Sequence, residues 1–380
     1  MKNKQKIIRV STVPQSLNNF LRGFLKELSS EYEVIALSSP GDSLKEVQQR
    51  EDVRIIEVPM ERHISIFKDI ISLFKLIVVF ARERPDIVHS MTPKAGLLSM
   101  LAACITRVPV RIHTFTGLVF PTSLGLKRKI LMCMDSLTCT CSTFINPESR
   151  GVANDLRRFG ITKKPLHIIA NGNVRGIDLH YYARTEEIVQ LAKLLHVENS
   201  FTFCFVGRLV RDKGINELVL AFDRLSKENH KVRLLLIGPY EREIDALDVK
   251  IERIIQTNQR IITFGKQKEI RHFLVSSDAF VLPSYREGMP NVVLEAGAMG
   301  LPSIVTDING SNEIIINGKN GEIIPPKDED ALYKKMKEWV NNTDKVRVMA
   351  ENSRKLVAER YEQKMIWNAL LREYRNLLKY

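Results

Sequence analysis

Short apolar runs and longer amphipathic stretches alternate along the first half of the chain. The short runs are typical of β-strands, and the stretches between them repeat apolar residues at helical spacing. Strands are predicted at 6–11, 33–38, 53–57, 86–90, 109–114 and 143–146. Helices are predicted at 17–30, 43–50, 65–83, 94–105, 125–136 and 148–158. This alternation predicts a parallel sheet that is covered by helices on both faces.

A second alternating series follows a break in the pattern at 169–185. The segment Ala170–Asp178 combines glycines and asparagines with few apolar residues, which is typical of an interdomain linker and hinge. Strands of the second series are predicted at 201–206, 232–237, 261–264, 278–282 and 303–306. Its helices are predicted to end near residue 227 and to span 328–341, 344–358 and 362–379. The sequence therefore predicts an α/β protein with two doubly wound parallel-sheet domains.

Composition agrees with two soluble domains, because 380 residues exceed the usual size of a single core. The 44% hydrophobic and 27% charged residues argue against a disordered or membrane-embedded chain. The most apolar stretch, Ile64–Ala81, is interrupted by Lys68, Asp69 and Lys75, so no transmembrane helix is predicted. Residues 1–6 lead straight into a strand and lack the features of a signal peptide. A cytoplasmic protein is expected.

The five cysteines are odd in number and lie mostly among apolar residues. Cys139 and Cys141 are predicted to point to one face of a strand, but no second Cys or His pair stands at zinc spacing. Buried, reduced cysteines are therefore expected.

Positive charge is concentrated in the first half. Residues 1–170 hold 25 Lys and Arg against 15 Asp and Glu, whereas residues 171–380 hold 32 against 29. A basic half suggests contact with a membrane surface, a phosphorylated substrate or nucleic acid, although a solubilising excess of charge is the simpler alternative. The run Lys127–Lys129 lies on a predicted helix whose other face, Ile130–Met132, is apolar, a pattern compatible with an anionic bilayer surface.

The most informative stretch is Pro283–Glu295. Pro283 ends a short buried strand, and Pro290 stands where a helix is predicted to begin. Glu287 therefore precedes a helix N-terminus, whose free N–H groups can bind an anion such as phosphate, and Glu295 lies inside the helix. Two carboxylates beside an anion site favour neutral hydrogen-bond donors such as sugar hydroxyls. The alternative is a solvated loop glutamate and a helix-surface glutamate.

Two cations, Arg208 and Lys213, share the loop after strand 201–206. Together with the helix that begins near Pro290 they supply what a diphosphate needs, and arginine can bind its oxygens bidentately. The alternative is that both cations are simply solvated. Neither a dinucleotide-binding G-x-G-x-x-G nor a P-loop is present.

Two positions in the first half are further candidates. Thr92 is predicted to cap a helix that Pro93 opens, and Lys94 would then oppose the helix dipole, a mild misfit that an anionic ligand would relieve. His113 lies at the carboxyl end of a strand, where a titratable side chain can face a cleft. An exposed lysine and a structural histidine are the alternatives.

Residues 203–324 resemble the donor domain of the retaining glycosyltransferases of family 4, which have the GT-B fold. The motifs that carry this resemblance are Phe205–Gly214, Leu236–Gly238, Phe264–Gly265, Ser284–Ala296 and Gly321–Pro326. Segments of the first half resemble the branch that builds bacterial capsule, O-antigen and related surface glycans: Thr92–Gly96, His113–Gly117 and Asn171–Asp178. The loop Ser11–Asn18 departs from the family, many members of which carry a glycine pair there.

The resemblance implies two Rossmann-like domains that face each other across a cleft. Its implied division is an acceptor-binding domain 1–170, a nucleotide-sugar-binding domain 171–360, and a helix 361–380 that packs back on the first domain. Arg208 and Lys213 would hold the diphosphate, Glu287 the sugar hydroxyls and Glu295 the ribose, while His113 would approach the sugar from the opposite domain. The implied donor-binding residues also include Gly207, Gly238, Gly265, Gly288, Met289, Pro290 and Asn291. The acceptor-side candidates are Lys94, Thr116 and Gly117.

The function that this resemblance implies is the transfer, with retention, of a hexose or N-acetylhexosamine, with a UDP-sugar expected as donor and a polyprenyl-diphosphate-linked saccharide as acceptor. The enzyme is expected to act at the inner membrane face, without a metal or other cofactor and without a nucleic-acid partner. A nucleotide-sugar epimerase or hydrolase on the same scaffold is one alternative. A non-catalytic basic module that binds membrane or nucleic acid is another.

Overall fold

The computed structural model describes residues 4–61, 63 and 65–379 of the chain. Residues 1–3 of the N-terminal segment and Ile64 of the apolar stretch thus lie outside the described residues. Contacts divide the chain into two units. Unit 1 runs to Gly176 and resumes at Lys364, and unit 2 comprises Ile177–Gln363.

Unit 1 is built on a six-stranded parallel sheet with the strand order β3-β2-β1-β4-β5-β6. Its strands are β1 (Lys6–Val10), β2 (Glu33–Ser38), β3 (Arg54–Glu57), β4 (Ile87–Met91), β5 (Val110–Phe115) and β6 (Phe144–Pro147). Its first helices are α1 (Pro14–Phe20), α2 (Phe24–Ser29), α3 (Asp42–Glu51), α4 (Ile66–Glu83), α5 (Pro93–Ile105), α6 (Gly125–Cys141) and α7 (Arg150–Arg158). Separate apolar cores lie on the two faces of this sheet, as expected for a doubly wound domain.

Unit 2 repeats this architecture with a second parallel sheet in the order β12-β11-β10-β7-β8-β9. Its strands are β7 (Phe201–Val206), β8 (Val232–Ile237), β9 (Ile261–Thr263), β10 (Ala279–Leu282), β11 (Ser303–Thr306) and β12 (Gly321–Ile324). Its helices are α8 (Glu186–Lys193), α9 (Ile215–Glu228), α10 (Arg242–Asp245), α11 (Val249–Thr257), α12 (Arg271–Val275), α13 (Asn291–Ala298), α14 (Ser311–Ile314), α15 (Glu329–Asn341) and α16 (Thr343–Tyr361). The last helix of the chain, α17 (Gln363–Leu377), lies almost entirely in unit 1.

The predicted class of two doubly wound parallel-sheet domains is confirmed. Two local predictions are wrong. The helix expected at 17–30 is two helices, since Gly23 between them adopts a left-handed backbone (φ 80°), and a Cβ there would lie 2.9 Å from the Trp367 ring of α17. Cys139 and Cys141 lie at the end of α6 and not on a strand, because that helix continues to Cys141.

Candidate active site

The loops after β7 and β10 lie side by side, because these two strands are neighbours in the second sheet. The backbone N–H of Tyr285 donates to the carbonyl of Asp212, at 2.8 Å, and joins the loops. Gly214 ends the first loop with φ 70°, and a Cβ at this position would lie only 2.0 Å from the carbonyl oxygen of Pro283. A glycine is therefore required where the two loops pack backbone to backbone.

This packing brings Lys213 and Glu287 together. The Lys213 ammonium donates to Glu287 Oε1 at 2.5 Å, and both side chains are mostly shielded from solvent. Arg208 Nη1 makes a similar bond to Glu241 Oε2 at 2.9 Å. Each of the two predicted cations thus has a carboxylate partner, for which an incoming anion would compete.

Helix α13 follows the Glu287 loop. Pro290 occupies the N-cap position, so the helix begins one residue later than predicted, and the proline side chain makes no capping hydrogen bond. Gly288, Met289 and Pro290 are buried, and Asn291 opens the helix. Glu295 is also buried, on the second turn. The sequence thus places buried backbone and the N-terminus of a helix beside the Lys213–Glu287 pair.

Three more predicted glycines stand at strand ends of the same sheet. Gly207 follows β7 and Gly238 follows β8, and a Cβ on Gly238 would lie 1.7 Å from the Gly207 carbonyl oxygen. The Gly207 N–H also donates to the carbonyl oxygen of Ile237, at 2.9 Å, so the two strand ends are in direct contact. Gly265, near the end of β9, has a left-handed backbone in open space. Gly207, Gly238 and Gly265 therefore follow one another along the carboxyl edge of the sheet.

Two polar groups at this edge were not predicted from the sequence. The Ser284 and Ser311 hydroxyls are buried and have no hydrogen-bond partner among the described residues. Ser311 follows Gly310, whose backbone touches that of Gly288. The sequence pattern that could have predicted Ser311 is a serine that directly follows a glycine in the segment after β11. Unpaired buried hydroxyls are costly, so this edge is suited to a ligand with polar groups.

In unit 1, His113 is less accessible than its position at a strand end predicted. The side chain is 1% exposed, its Nδ1 lies 2.8 Å from the Ser90 hydroxyl, and its ring packs on Gly96, where a Cβ would collide with it. Burial lowers the pKa of His113 to about 3. The imidazole is therefore neutral near pH 7 and is not an accessible titratable group.

Lys94 is neither exposed nor electrostatically unpaired. Its side chain is 7% exposed and its ammonium donates to Asp69 Oδ1 at 2.7 Å. Thr92 holds the N-cap position of α5 but its hydroxyl lies 2.9 Å from that of Thr12. Thr12 Oγ1 accepts from the Ala95 N–H instead, at 3.0 Å. The helix start is thus capped from the loop after β1, which is the loop that departs from the family pattern.

The acceptor-side candidates Thr116 and Gly117 directly follow β5 and are partly exposed. They lie at the carboxyl edge of the first sheet, where ligands of doubly wound domains bind. Nothing buries them as His113 is buried. Their predicted role stays a prediction.

Comparison with known proteins agrees with this geometry. Residues 187–356 match the family described as glycosyl transferases group 1, and residues 18–172 match the glycosyl transferase 4-like domain. The chain is 31% identical over 383 residues to the capsular polysaccharide biosynthesis glycosyltransferase CapM of Staphylococcus aureus, covering 100% of this chain and 99% of CapM. The chain belongs to the group 1 glycosyltransferases. The alternative of a non-catalytic basic module is therefore wrong, and the enzyme is a transferase.

Another relative of this glycosyltransferase is the Escherichia coli UDP-Gal:alpha-D-GlcNAc-diphosphoundecaprenol alpha-1,3-galactosyltransferase. The two are 30% identical over 317 residues, which cover 80% of this chain and 79% of that enzyme. The relatives thus include enzymes named for capsule synthesis and for transfer to a sugar on a polyprenyl diphosphate.

Solved structures confirm the GT-B fold of the glycosyltransferase. Anabaena HepE in complex with UDP superposes with a TM-score of 0.81 at 17% identity, covering 98% of this chain and 100% of HepE. A glycosyltransferase from Rickettsia africae superposes with a TM-score of 0.79 at 22% identity, covering 99% of each chain. At these identities the comparison establishes the fold alone.

In the part of the chain that the structure describes, no helix combines the length and the apolar character that a membrane crossing needs. The same part of the chain holds no group of three His, Cys, Asp or Glu side chains arranged to bind a metal ion.

Proposed function

We propose that this glycosyltransferase moves a hexose or N-acetylhexosamine from a UDP-sugar to a polyprenyl-diphosphate-linked saccharide, as a retaining enzyme of family 4. The observation that carries the proposal is the Lys213–Glu287 pair, with Arg208 in the same loop and the N-terminus of α13 after Glu287. The relatives support the substrate classes, since one is named for UDP-Gal and for a diphosphoundecaprenol-linked sugar.

In the proposed mechanism the two cations act on the leaving group. The donor diphosphate takes the place of Glu241 and Glu287 as partner of Arg208 and Lys213. The start of α13 adds N–H groups and the positive end of a helix dipole. Stabilising the charge that develops on a departing diphosphate is the kind of electrostatic effect that usually contributes most to a rate enhancement.

Glu287, once released from Lys213, accepts hydrogen bonds from the donor sugar hydroxyls. Glu295 accepts from the ribose hydroxyls, and the Gly288–Asn291 backbone lies beside the sugar. The unpaired hydroxyls of Ser284 and Ser311 are further partners for a polar ligand at this edge. These roles use neutral donors, which suits carboxylates placed beside a phosphate.

The bond from the anomeric carbon to the diphosphate oxygen breaks as the acceptor oxygen bonds to that carbon on the same face. The acceptor proton passes to the leaving diphosphate, so no covalent enzyme nucleophile is required. We propose that the reaction needs no metal, because Arg208 and Lys213 supply the charge that a divalent ion supplies in other transferases. The approach of His113 to the donor sugar stays a prediction.

The acceptor sets the place of action. A polyprenyl-diphosphate-linked saccharide is held in a membrane, so we place the enzyme in the cytoplasm, at the inner face of the plasma membrane. The excess of Lys and Arg in residues 1–170 supports contact with an anionic surface. Nucleic acid is not proposed as a partner.

The test is a donor screen with the purified full chain. UDP- and GDP-sugars are offered with and without a synthetic polyprenyl-diphosphate-linked acceptor, and nucleotide release and the anomeric NMR signals of the product are measured. Acceptor-dependent UDP release with a retained anomeric configuration is expected, and EDTA should leave the rate unchanged. Conversion of the donor at the same rate without acceptor would instead identify an epimerase or hydrolase.

A further inference from the structure

An apolar stripe is exposed along one face of α4. Its side chains are Ile66, Phe67, Ile70, Ile71, Phe74 and Val78. Phe67 is 82% and Phe74 64% exposed, and the spacing of the six residues keeps them on one side of a helix. The other side of α4 packs into a core of unit 1 through Leu76 and Phe80. The helix is therefore apolar on two faces, and the chain itself covers one of them.

Charge on α4 is sorted around this stripe. Lys68, Lys75 and Arg82 recur every seventh position and so form a row along one border of the stripe. Lys68 pairs with Glu61, whereas the described residues provide no ion-pair partner for Lys75 or Arg82. The stripe is thus bordered by positive charge.

The two acidic residues of α4 are turned away from the stripe. Asp69 pairs with Lys94 of α5. Glu83 pairs with Lys6 of β1 and also binds Arg54 of β3. Both carboxylates are thereby used within unit 1, and neither offsets the positive border of the exposed face.

Helix α6 repeats the pattern in the same layer, since α5 packs against both α4 and α6. Leu126, Ile130 and Leu137 are exposed, and their spacing places them on one face. Lys127 and Lys129 stand on either side of that line and are exposed. Leu131 and Met132 are partly buried against a core, so the exposed apolar line is not the Ile130–Met132 face that the sequence suggested.

We infer that the outer face of α4, together with the exposed line of α6, docks on the surface of an anionic phospholipid bilayer. Amphipathic helices with apolar side chains and a basic border lie in the membrane interface and bind it through both features. Lipid phosphates supply the counter-charges that Lys75 and Arg82 lack. A second copy of the chain would cover the apolar side chains but would bring the same basic row.

The biological reason for docking rests on the proposed function, because the enzyme meets a lipid-linked acceptor at a membrane surface. Docking itself can be measured without any transfer reaction. Full-length protein is titrated with vesicles of phosphatidylglycerol mixed with phosphatidylcholine, and with vesicles of phosphatidylcholine alone, and bound protein is determined by flotation.

Phe67→Ser combined with Phe74→Ser should weaken binding to the anionic vesicles by roughly tenfold or more, because two exposed aromatic rings no longer insert. The matched control is Val249→Ser with Val348→Ser, which removes two exposed apolar side chains from unit 2 and should change binding by less than about twofold. Lys75→Gln with Arg82→Gln should weaken binding to anionic vesicles and reduce its dependence on salt. Thermal unfolding followed by circular dichroism checks that each variant is folded.

Wild-type protein that binds both kinds of vesicle equally, or a folded Phe67/Phe74 double variant that binds like the wild type, would overturn the inference. The inference would also be overturned if the wild type were a dimer and the double variant a monomer in lipid-free buffer, since the stripe would then be an interface between copies. Vesicle binding without detectable glycosyl transfer would refute the proposed function and leave the docking surface standing. Transfer to the acceptor without vesicle binding would refute the docking surface and leave the proposed function standing.

Discussion

The Lys213 ammonium lies 2.5 Å from the Glu287 carboxylate, and the pair joins the loop after β7 to the loop after β10. The charge proposed to hold the donor diphosphate is therefore neutralised in this structure by the carboxylate proposed to hold the donor sugar. A phosphate oxygen that displaces Glu287 keeps Lys213 paired and frees the carboxylate for sugar hydroxyls. One exchange of partners thus prepares both halves of the donor site.

Lys213→Ala should lower kcat/KM for the nucleotide sugar by roughly 10²-fold, because a cation aimed at the leaving diphosphate is lost. Glu287→Gln should lower turnover by about tenfold or more, since the amide donates where a carboxylate accepts from hydroxyls. The measurement is nucleotide release at saturating acceptor. Lys334→Ala, which removes an exposed ion-paired lysine of unit 2, is the control and should leave the rate unchanged. Wild-type rates in both site variants would refute the assignment.

Gly214→Ala tests whether the two loops must touch. The new Cβ would lie 2.0 Å from the Pro283 carbonyl oxygen, and the alanine would also have to adopt φ 70°. The loops should therefore separate, and the affinity for the donor should fall. Gly318→Ala is the matched control, because Gly318 has φ 77° with no atom within 4 Å of the added Cβ. The control variant has the backbone strain of about 1–2 kcal/mol but no steric clash.

Thermal unfolding and the KM for the donor are measured for both glycine variants. Gly214→Ala should lose more stability than Gly318→Ala and should raise the KM, whereas Gly318→Ala should leave the KM unchanged. Equal effects of the two substitutions would mean that the contact with Pro283 has no role beyond backbone conformation.

The donor-side loops could be predicted from the sequence because each follows directly on a recognisable strand. In a parallel sheet the carboxyl ends of the strands share one edge, so the sequence alone predicts that Lys213 and Glu287 lie at one edge. Their direct ion pair was not predicted, since it depends on the contact of Gly214 with Pro283.

His113 and Lys94 show why the first half was harder. Position at a strand end predicted an accessible imidazole, but Ser90 of the neighbouring strand and Gly96 of α5 bury it. Lys94 is likewise satisfied by Asp69, which lies 25 residues earlier on another helix. Such partners are set by tertiary packing, which local sequence patterns do not encode.

Tyr374→Phe should destabilise unit 1. The Tyr374 hydroxyl accepts from Arg9 Nη1 at 2.6 Å and lies 2.6 Å from His89 Nδ1, and all three side chains are buried. Loss of a hydrogen bond to a buried charged group costs about 1.5–3 kcal/mol, which should appear as a lower midpoint of thermal unfolding. Tyr181→Phe removes a hydroxyl from an exposed tyrosine of unit 2 and should shift the midpoint far less. Equal shifts of the two midpoints would show that the Arg9–Tyr374 hydrogen bond stabilises the fold no more than an exposed tyrosine hydroxyl does.

The dependence of stability on pH should carry a contribution from His113. Its pKa is lowered to about 3 by burial, below the ordinary value near 6.5. Between these values the unfolded chain binds a proton that the folded chain does not, so the free energy of unfolding falls as the pH drops below about 6.5. The slope from this group is at most about 1.4 kcal/mol per pH unit.

His113→Gln should therefore flatten the decline in the free energy of unfolding of unit 1 between pH 6.5 and 5, whatever its effect on stability at pH 7.5. Urea unfolding at several pH values, followed by hydrogen exchange of unit 1 amides, measures this slope. His180→Gln, at an exposed position of unit 2, is the control and should keep the wild-type slope. A His113→Gln protein with an unchanged slope would mean that the imidazole takes up protons in the folded state, and that it is accessible after all.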